Sequence, residues 1–522
     1  MSCNKYPFHA ARGKSLSLNP IPHLAWSIPP FGGGKASAHT FSSQLFQPVV
    51  IVNHLRAMRL LTFSRLLPPY FLLVLLSAPL IASAQTNVLE WDVARNRVSA
   101  DIQSLDLVDV LGHVAEATGW RIFLEPDTDR TVSTTFKNRK PDKALDLLLG
   151  NLNRILLPPT NGAPRLLVFK THRNNATRHI KSARQIAREK SRIPIPNEIV
   201  IRVKPGTDVE ALAKLLGAKV VGSMPELDMY RLRFEDEAAA DAARELLASN
   251  SEVLGVESNY PVFRDVPSQS FAGGSPLSLT PKAVGPDGQI VVGLIDTALD
   301  PGQGGIADFL LPGISVGGEA DHPGYEPSHG DSMAQTILRG LEAALNDPSG
   351  TTVRILPVDV YGSNPATSTF DVAMGVYLAI NAGADIINLS LGSEGAAPIL
   401  ERVIQSGYDQ GILFFAAAGN EPGTAVSYPA GYDQVVVAVT SRNRDGSISS
   451  FANTGSFVDI SAPAYSSIYF GGQLWRVAGT SVSTAYASGA AAALLQTTGM
   501  DPKQVEQILR QQMAPPSGST GR

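Results

Sequence analysis

Short runs of apolar residues, separated by segments with helical spacing, mark the second half of the chain. Two of these segments, Thr369 to Ala382 and Ala397 to Gln410, place apolar residues on one helical face. Apolar runs without alternation are typical of parallel strands that are buried on both faces. The pattern predicts an α/β domain at 282–513 with a doubly wound parallel sheet, in which an active site gathers at the carboxyl ends of the strands. The predicted strands are Ile290 to Ile295, Val353 to Val358, Ile386 to Leu391, Ile412 to Ala418 and Val435 to Val439.

A smaller pattern occupies residues 197–263. It predicts strand, helix, strand, strand, helix and strand, with helices at Asp208 to Leu216 and Asp236 to Ala248. This order is that of a split βαβ, ferredoxin-like domain. The segments NEIVIRVKPGTDVEALAKLLGAKVV, MYRLRF and VLGVESNYP resemble the inhibitory propeptide of subtilisin-family proteases. The resemblance implies that this domain inhibits a protease domain that follows it.

Residues 85–170 predict another small α+β domain. Ser104 is expected to cap a helix that ends at Gly119, and Pro141 is expected to open a second helix. The segment resembles the short N-terminal domain of secretins and TonB-dependent receptors, which implies a Gram-negative envelope and a protein partner there. The alternative is a spacer domain without a partner. The predicted strands are Trp120 to Leu124, Thr131 to Phe136 and Leu166 to Phe169.

The first 84 residues contain no pattern of a folded domain. Residues 1–57 lack periodicity, and we expect that they are not part of the native product. Residues 58–84 have the layout of a signal peptide, with arginines, an apolar stretch from Tyr70 to Ile81 and a small-residue cleavage site. The alternative is a membrane anchor, but the apolar stretch is shorter than the ~20 residues of a spanning helix. The sequence therefore predicts export to the periplasm, the outer membrane or the medium.

Composition excludes several classes of function. A chain of 522 residues is longer than a typical single domain. Its formal net charge of −4 gives no electrostatic footprint for nucleic acid, so no nucleic-acid partner is expected. The single cysteine, Cys3, excludes intramolecular disulfides, thiolate zinc sites and a cysteine nucleophile in everything that follows it.

Three segments are predicted to lie outside the domains. Residues 171–196 are basic and lack aromatic residues, which favours a solvated linker over a nucleic-acid or lipid patch. Residues 264–281 are rich in Ser, Gly and Pro and predict a flexible, cleavable linker, and residues 514–522 predict a disordered tail. The basic residues of the first segment are Arg173, Arg178, Lys181, Arg184, Arg188, Lys190 and Arg192.

Three residues at predicted strand-to-helix junctions form a candidate hydrolytic site. Asp296 ends a strand in VVGLIDT, His329 opens a helix in SHGDSMAQTI, and Ser481 opens a helix in GTSVSTAYASG. A nucleophilic serine needs a neutral imidazole to take its proton, and only His322 and His329 follow residue 263. His322 precedes a proline in a loop, so His329 is preferred. Each residue alone has an ordinary structural explanation, since a serine at a helix start is usually a cap.

The order Asp, His, Ser is that of subtilisin, and residues 284–500 resemble the subtilisin family. Asp296 and His329 lie 33 positions apart and His329 and Ser481 lie 152 apart, close to the spacing in compact members of the family. The resemblance implies a serine endopeptidase that acts on proteins or peptides. Ser481 would attack the scissile carbonyl, His329 would serve as general base and then general acid, and Asp296 would orient the imidazole.

The same resemblance implies further site residues. Asn420, in FFAAAGNEP, matches the side-chain donor of the subtilisin oxyanion hole, which the Ser481 backbone N–H completes. The alternative is an asparagine in a turn. The two walls of the first specificity pocket would be Ser390, Leu391 and Gly392 on one side and Ala417, Ala418 and Gly419 on the other.

Three positions depart from the family pattern, all beside the chemistry rather than within it. The usual Asp-Thr-Gly reads Asp296-Thr297-Ala298, His329-Gly330 is followed by Asp331-Ser332-Met333, and Ala485 replaces a proline. The alternative function is an envelope binding or signalling protein that carries a weak or inactive protease-like domain. The complete set of Asp, His, Asn and Ser favours the protease.

The predicted chemistry requires no cofactor and no catalytic metal. A structural calcium ion stays open, because the scattered acids Asp300, Asp308 and Glu319 match no calcium-binding loop.

Overall fold

The computed structural model describes residues 88–92, 95–158, 164–264, 268–271, 277–284, 288–320, 326–345, 350–421 and 426–516. The predicted signal peptide, the segment before it and His322 lie outside these ranges. So does most of the predicted tail at 514–522. Within the ranges, no helix combines the length and the apolar character that crossing a bilayer requires.

Residues 88–180 form an α+β unit, here called the N-terminal unit. One sheet has the order β1-β2-β4 and the other the order β5-β6-β3-β7. Their buried apolar faces enclose both helices in one hydrophobic core. The elements are β1 (Val88–Asp92), β2 (Arg97–Asp106), α1 (Leu107–Thr118), β3 (Arg121–Leu124), β4 (Thr131–Arg139), α2 (Pro141–Leu149), β5 (Asn153–Leu157), β6 (Arg165–Phe169) and β7 (Arg178–Ile180).

The predicted cap at Ser104 is wrong. Ser104 lies within β2 with a φ of 59°, where the register between β2 and β4 shifts. The strand therefore continues past Ser104, and Asp106 caps α1 by accepting from the backbone N–H of Val108. The end of α1 at Gly119, which adopts a left-handed conformation, is as predicted.

The basic segment 171–196 is not a solvated linker. Its first part contributes β7, which pairs with β3 and extends the N-terminal unit to Ile180. Its second part forms α3 (Ala183–Ser191), called the cleft helix below, whose start is closed by a capping box between Ser182 and Gln185. The prediction failed because the basic composition of the segment does not show that its arginines form ion pairs with acidic residues far away in the sequence.

Residues 198–258, the second unit, have the predicted split βαβ arrangement. Four antiparallel strands in the order β11-β8-β10-β9 cover two helices, and the apolar residues between them form a separate core. The elements are β8 (Glu198–Val203), α4 (Val209–Leu215), β9 (Lys219–Met224), β10 (Met229–Arg233), α5 (Glu237–Ala248) and β11 (Val253–Ser258).

Two further strands connect this unit to the rest of the chain. β12 (Pro261–Phe263) pairs with β17 (Ala366–Ser368) of the following unit, and β13 (Ser268–Phe271) pairs with β23 (Gln473–Ala478). The segment 264–281, predicted as a flexible linker, thus contains a paired strand. Leu279 is buried in the core of the following unit, which therefore begins before residue 282.

Residues 277–516, the third unit, form the predicted doubly wound α/β fold. In the described part, parallel strands follow the order β15-β16-β14-β18-β19-β20-β21, with helices and apolar cores on both faces. A hairpin, β22-β23, and a last helix, α10, were not predicted. The elements are β14 (Val291–Asp296), β15 (Ile314–Ser315), α6 (His329–Ala344), β16 (Arg354–Asp359), β17 (Ala366–Ser368), α7 (Thr369–Asn381), β18 (Ile386–Leu389), α8 (Pro398–Asp409), β19 (Leu413–Ala417), β20 (Val437–Arg442), β21 (Ile460–Pro463), β22 (Tyr465–Phe470), β23 (Gln473–Ala478), α9 (Thr480–Thr498) and α10 (Pro502–Gln512).

Candidate active site

Asp296 is the last residue of β14, an interior strand of the large sheet. β14 lies between β16 and β18, and all six of its residues are buried. Asp296 itself is only 1% exposed, and one of its carboxylate oxygens accepts from the backbone N–H of Thr297 at 2.7 Å. The sheet therefore delivers a buried carboxylate to the carboxyl edge of the strands, where a parallel sheet places its functional groups.

His329 is the first residue of α6 and faces that carboxylate. Its Nδ1 lies 2.8 Å from each oxygen of Asp296. Ser328 caps the helix by accepting from the N–H of Asp331 at 2.9 Å, and Asp331 accepts in return from the N–H of Ser328 at 2.9 Å. Burial raises the pKa of Asp331. The departure from the family pattern at Asp331 thus supplies a capping box that fixes the start of α6, called the histidine helix from here on.

Ser481 lies in the first turn of α9 and is 2% exposed. Its hydroxyl donates to the backbone carbonyl of Ser390 at 3.1 Å, and the hydroxyl of Ser390 donates to the carbonyl of Ser481 at 3.0 Å. Gly479, just before the helix, has a φ of 147°, which a side chain rarely permits. The two hydrogen bonds with Ser390 hold α9, called the serine helix from here on, against the end of β18.

The helices that carry His329 and Ser481, α6 and α9, pack directly against each other. Gly340 of α6 lies against the backbone of Tyr486, and Gly489 of α9 lies against the backbone of Ile337. A Cβ atom at either glycine would collide with a carbonyl oxygen of the partner helix. The two glycines therefore permit the close crossing that sets the histidine helix and the serine helix relative to each other.

Asn420 follows β19 and reaches the start of the serine helix. Its Oδ1 accepts from the backbone N–H of Thr480 at 2.8 Å, and its amide nitrogen Nδ2 is a hydrogen-bond donor. The hydroxyl of Thr480 accepts from the N–H of Gly419 at 3.2 Å, which ties the same two segments together. Asn420 and Ser481 thus lie beside each other, as the oxyanion assignment requires.

A cavity of about 300 Å³ joins these residues. Ser481 and Asn420 line it, together with five of the six predicted wall residues: Ser390, Leu391, Gly392, Ala417 and Gly419. Ala418 is fully buried and does not line it, since its N–H donates to Val439 within the sheet. Asp296 and His329 are also absent from its lining, because they are buried beside it.

Residues that precede the third unit also line this cavity. They are Glu116 of α1, Phe263 and Arg264, which follow the second unit, and Ala183, Arg184, Ala187, Arg188 and Ser191 of the cleft helix. The backbone N–H of Arg264 donates to the carbonyl of Pro365 at 3.1 Å. The cleft is thus covered by three segments from earlier in the chain.

Two carboxylates in the cavity were missed by sequence reasoning. Glu394 lies two residues after Gly392, and Glu421 directly follows Asn420. Burial raises the pKa of Glu421 to about 7, the carboxylate of Glu116 acts in the same direction, and Arg184 lowers it. Their positions next to predicted wall and oxyanion residues were the available signal.

No group of three or more His, Cys, Asp or Glu side chains among the described residues is placed to hold a metal ion.

Two family models match the chain. The model of the Subtilase family matches residues 287–520, and the model of the Fervidolysin N-terminal prodomain matches residues 181–259. The second match includes the cleft helix and the second unit. Both matches agree with the division of the chain seen in the structure.

Similar proteins with curated names include several proteases. The Thermostable alkaline protease of Halalkalibacterium halodurans is 35% identical, over 35% of this chain and 52% of that protein. Subtilisin Savinase of Lederbergia lenta is 33% identical, over 35% of this chain and 71% of that protein. The Thermophilic serine proteinase of Bacillus sp. is 27% identical, over 61% of this chain and 82% of that protein. The chain thus spans about half the length of the first of these relatives.

Proposed function

The chain belongs to the subtilase family, and on that premise we propose that it is a serine endopeptidase with Asp296, His329 and Ser481 as its catalytic triad. The observation that carries the proposal is the 2.8 Å contact of His329 Nδ1 with both oxygens of a buried Asp296. Ser481 lies in the first turn of the helix packed against the histidine helix and lines the cleft beside them. We infer that proteins or peptides are the substrates.

The proposed reaction divides its steps among these residues. Ser481 Oγ attacks the scissile carbonyl, and His329 takes its proton and later gives it to the leaving amine. Asp296 holds Nδ1–H, which leaves Nε2 to act on the serine, and it stabilises the imidazolium that forms. The backbone N–H of Ser481 and the side-chain amide of Asn420 stabilise the oxyanion of the tetrahedral intermediate.

We further propose that the second unit is an inhibitory prodomain. It contacts the third unit at the start of two surface helices. Glu257 accepts from the N–H of Ile399 at 2.7 Å in the first turn of α8 and also pairs with Arg402. Carboxylates at helix N-termini are favoured by unsatisfied N–H groups and by the helix dipole.

The second helix contact uses a buried amide. Oδ1 of Asn259 accepts from the N–H of Phe370 and from the hydroxyl of Thr369, both at 3.0 Å, at the start of α7. Arg231 pairs with Asp371 in the same turn at 2.8 Å. These contacts support a docked prodomain rather than a passive spacer.

The prodomain leads directly into the cleft. β12 pairs with β17 and is followed by Arg264, which lines the cavity that contains Ser481. We propose that the chain is cut between Arg264 and Leu277, which would release the prodomain and free the cleft. Cutting the tether removes the high effective concentration of a linked inhibitor without changing a contact.

Export and the role of the N-terminal unit are inferred from sequence. The signal-peptide pattern at 58–84 and the named relative Minor extracellular protease Epr of Bacillus subtilis support export. The secretin-like and TonB-like pattern at 85–170 supports a protein partner in a bacterial envelope. We therefore propose the periplasm, the outer membrane or the medium as the site of action.

The test is the full chain with Ser481→Ala. The wild-type protein should hydrolyse peptides and convert itself to a shorter form, and the variant should do neither, because both reactions use one nucleophile. Peptide hydrolysis and mass spectrometry measure the two reactions. Normal processing of the purified variant in the absence of another protease would rule the proposal out.

A further inference from the structure

Two acidic side chains of the third unit lie in the candidate cleft without a role in the proposed chemistry. Glu394 and Glu421 both line the cavity that contains Ser481 and Asn420. Glu394 follows the wall segment that ends at Gly392, and Glu421 follows Asn420. The two carboxylates therefore approach one space from the two sides of the cleft.

That space holds a cationic side chain in this structure. The guanidinium of Arg188, from the cleft helix, pairs with Glu394 through Nε and lies 2.7 Å from Glu421. Arg192, one residue after the helix, also pairs with Glu394. A planar guanidinium donates in several directions at once, so one arginine can bridge two carboxylates.

The backbone on both sides fixes this arrangement. The N–H of Glu421 donates to Oδ1 of Asn453 at 2.7 Å, which holds Glu421 beside the oxyanion residue. The hydroxyl of Ser393 donates to the carbonyl of Ser191 at 3.1 Å, and Ser191 in turn accepts from the N–H of Glu394 at 3.3 Å. Glu421 is thus held in place by the third unit, whereas the backbone around Glu394 bonds to Ser191 of the cleft helix, the element that also supplies Arg188.

Both carboxylates are largely shielded from water in this structure, so each needs a cationic partner. The side chain of Glu394 is 7% exposed and that of Glu421 is 22% exposed. These fractions apply with the cleft helix in place, where a shielded carboxylate without its cationic partner would be costly. Once the helix has left, two neighbouring negative charges still attract a cation that enters the cleft. If the chain is cut after Arg264, as proposed above, the cleft helix leaves with the prodomain and the two carboxylates face an empty cleft.

We propose that Glu394 and Glu421 form a substrate subsite that selects an arginine or lysine side chain near the scissile bond, and that Arg188 occupies this subsite until the prodomain leaves. The inference rests on the proposed protease function and names a substrate class for that same site. Arginine fits it better than lysine, because the guanidinium can contact both carboxylates. The competing explanation is that the two acids serve only to dock the cleft helix.

The test uses full-length protein that has been allowed to process itself, and matched pairs of fluorogenic peptides. Each pair differs by arginine or citrulline at a single position, scanned over four residues before the cleaved bond and two after it. Citrulline keeps the shape and removes the charge. At one position we expect a kcat/KM for the arginine peptide that is about tenfold higher or more, a ratio that falls as salt is added.

The variants Glu394→Gln and Glu421→Gln should each bring that ratio towards one. Glu401→Gln is the matched control, since Glu401 is exposed on α8 outside the cleft, and it should keep the wild-type ratio. The salt dependence of the wild-type ratio needs no variant, so poor folding of a substituted chain cannot hide the result.

Two outcomes overturn the proposal in different ways. If the wild-type protein cleaves both peptides of every pair at equal rates, the subsite is wrong and the protease function stands. If it cleaves no peptide at all, the protease function is wrong and the subsite falls with it.

Discussion

The catalytic cleft and the prodomain interface are built from different kinds of contact. In the cleft, distant parts of the chain supply Asp296 at the end of β14, His329 at the start of α6 and Asn420 in the loop after β19. At the interface, neighbouring residues such as Glu257 and Asn259 bind backbone N–H groups at the starts of α8 and α7.

The two regions differ in how strongly their function depends on a single side chain. In the proposed chemistry each cleft residue has a role that no neighbour can take over. The interface divides its binding among several hydrogen bonds, ion pairs and a strand pairing, so the loss of one leaves the others. Single substitutions should therefore have much larger effects in the cleft than at the interface.

The largest effect is expected for Asp296→Asn. The amide cannot hold Nδ1–H of His329 as the carboxylate does, so the imidazole loses the correct tautomer, and kcat should fall by ~10⁴. Steady-state hydrolysis of a peptide measures this. Asp308→Asn, an exposed acid of the same unit, is the control and should stay near wild type. Similar rates for the two variants would place the site elsewhere.

A smaller loss is expected for Asn420→Ala. Removal of one oxyanion donor should lower kcat by ~10²–10³ with little change in KM, because the oxyanion forms only as the reaction proceeds. The control is Asn381→Ala, since Asn381 is exposed at the end of α7. An unchanged kcat in Asn420→Ala would mean that Asn420 only ties β19 to the serine helix.

The smallest effect is expected at the interface, for Glu257→Gln. The substitution weakens a charged hydrogen bond to Ile399 and the pair with Arg402, which together should cost about 1.5–3 kcal/mol of docking free energy. Freshly purified full-length variant should begin peptide hydrolysis with a shorter lag. Glu252→Gln, exposed in the second unit, should keep the wild-type lag. Equal lags for both variants would contradict the inhibitory role.

The fold of the third unit was predictable because its strands are buried on both faces. Their apolar runs are therefore continuous, and the helices between them have their own period. Asp296, His329 and Ser481 stand where strands end and helices begin, so the same pattern placed them at one edge of the sheet. The contact between His329 and Asp296 then depends on the packing of distant elements, which no local pattern contains.

The cleft helix shows where sequence reasoning stops. Arg188 and Arg192 belong to a basic stretch whose ordinary interpretation is a solvated linker. Their partners Glu394 and Glu421 lie some two hundred residues later in the chain. The pairing becomes visible only when the third unit has brought both acids to one cavity. The misplaced cap at Ser104 has a similar cause, since a shift in strand register overrides a local capping preference.

The most direct test of the central claim is to label the processed protein with a fluorophosphonate and to map the modified residue by mass spectrometry. A serine activated by a histidine reacts with this probe, whereas ordinary serines do not. The account predicts one modified residue, Ser481, with labelling lost in Ser481→Ala and strongly slowed in His329→Ala. Modification of a different serine, or labelling that persists in Ser481→Ala, would contradict it.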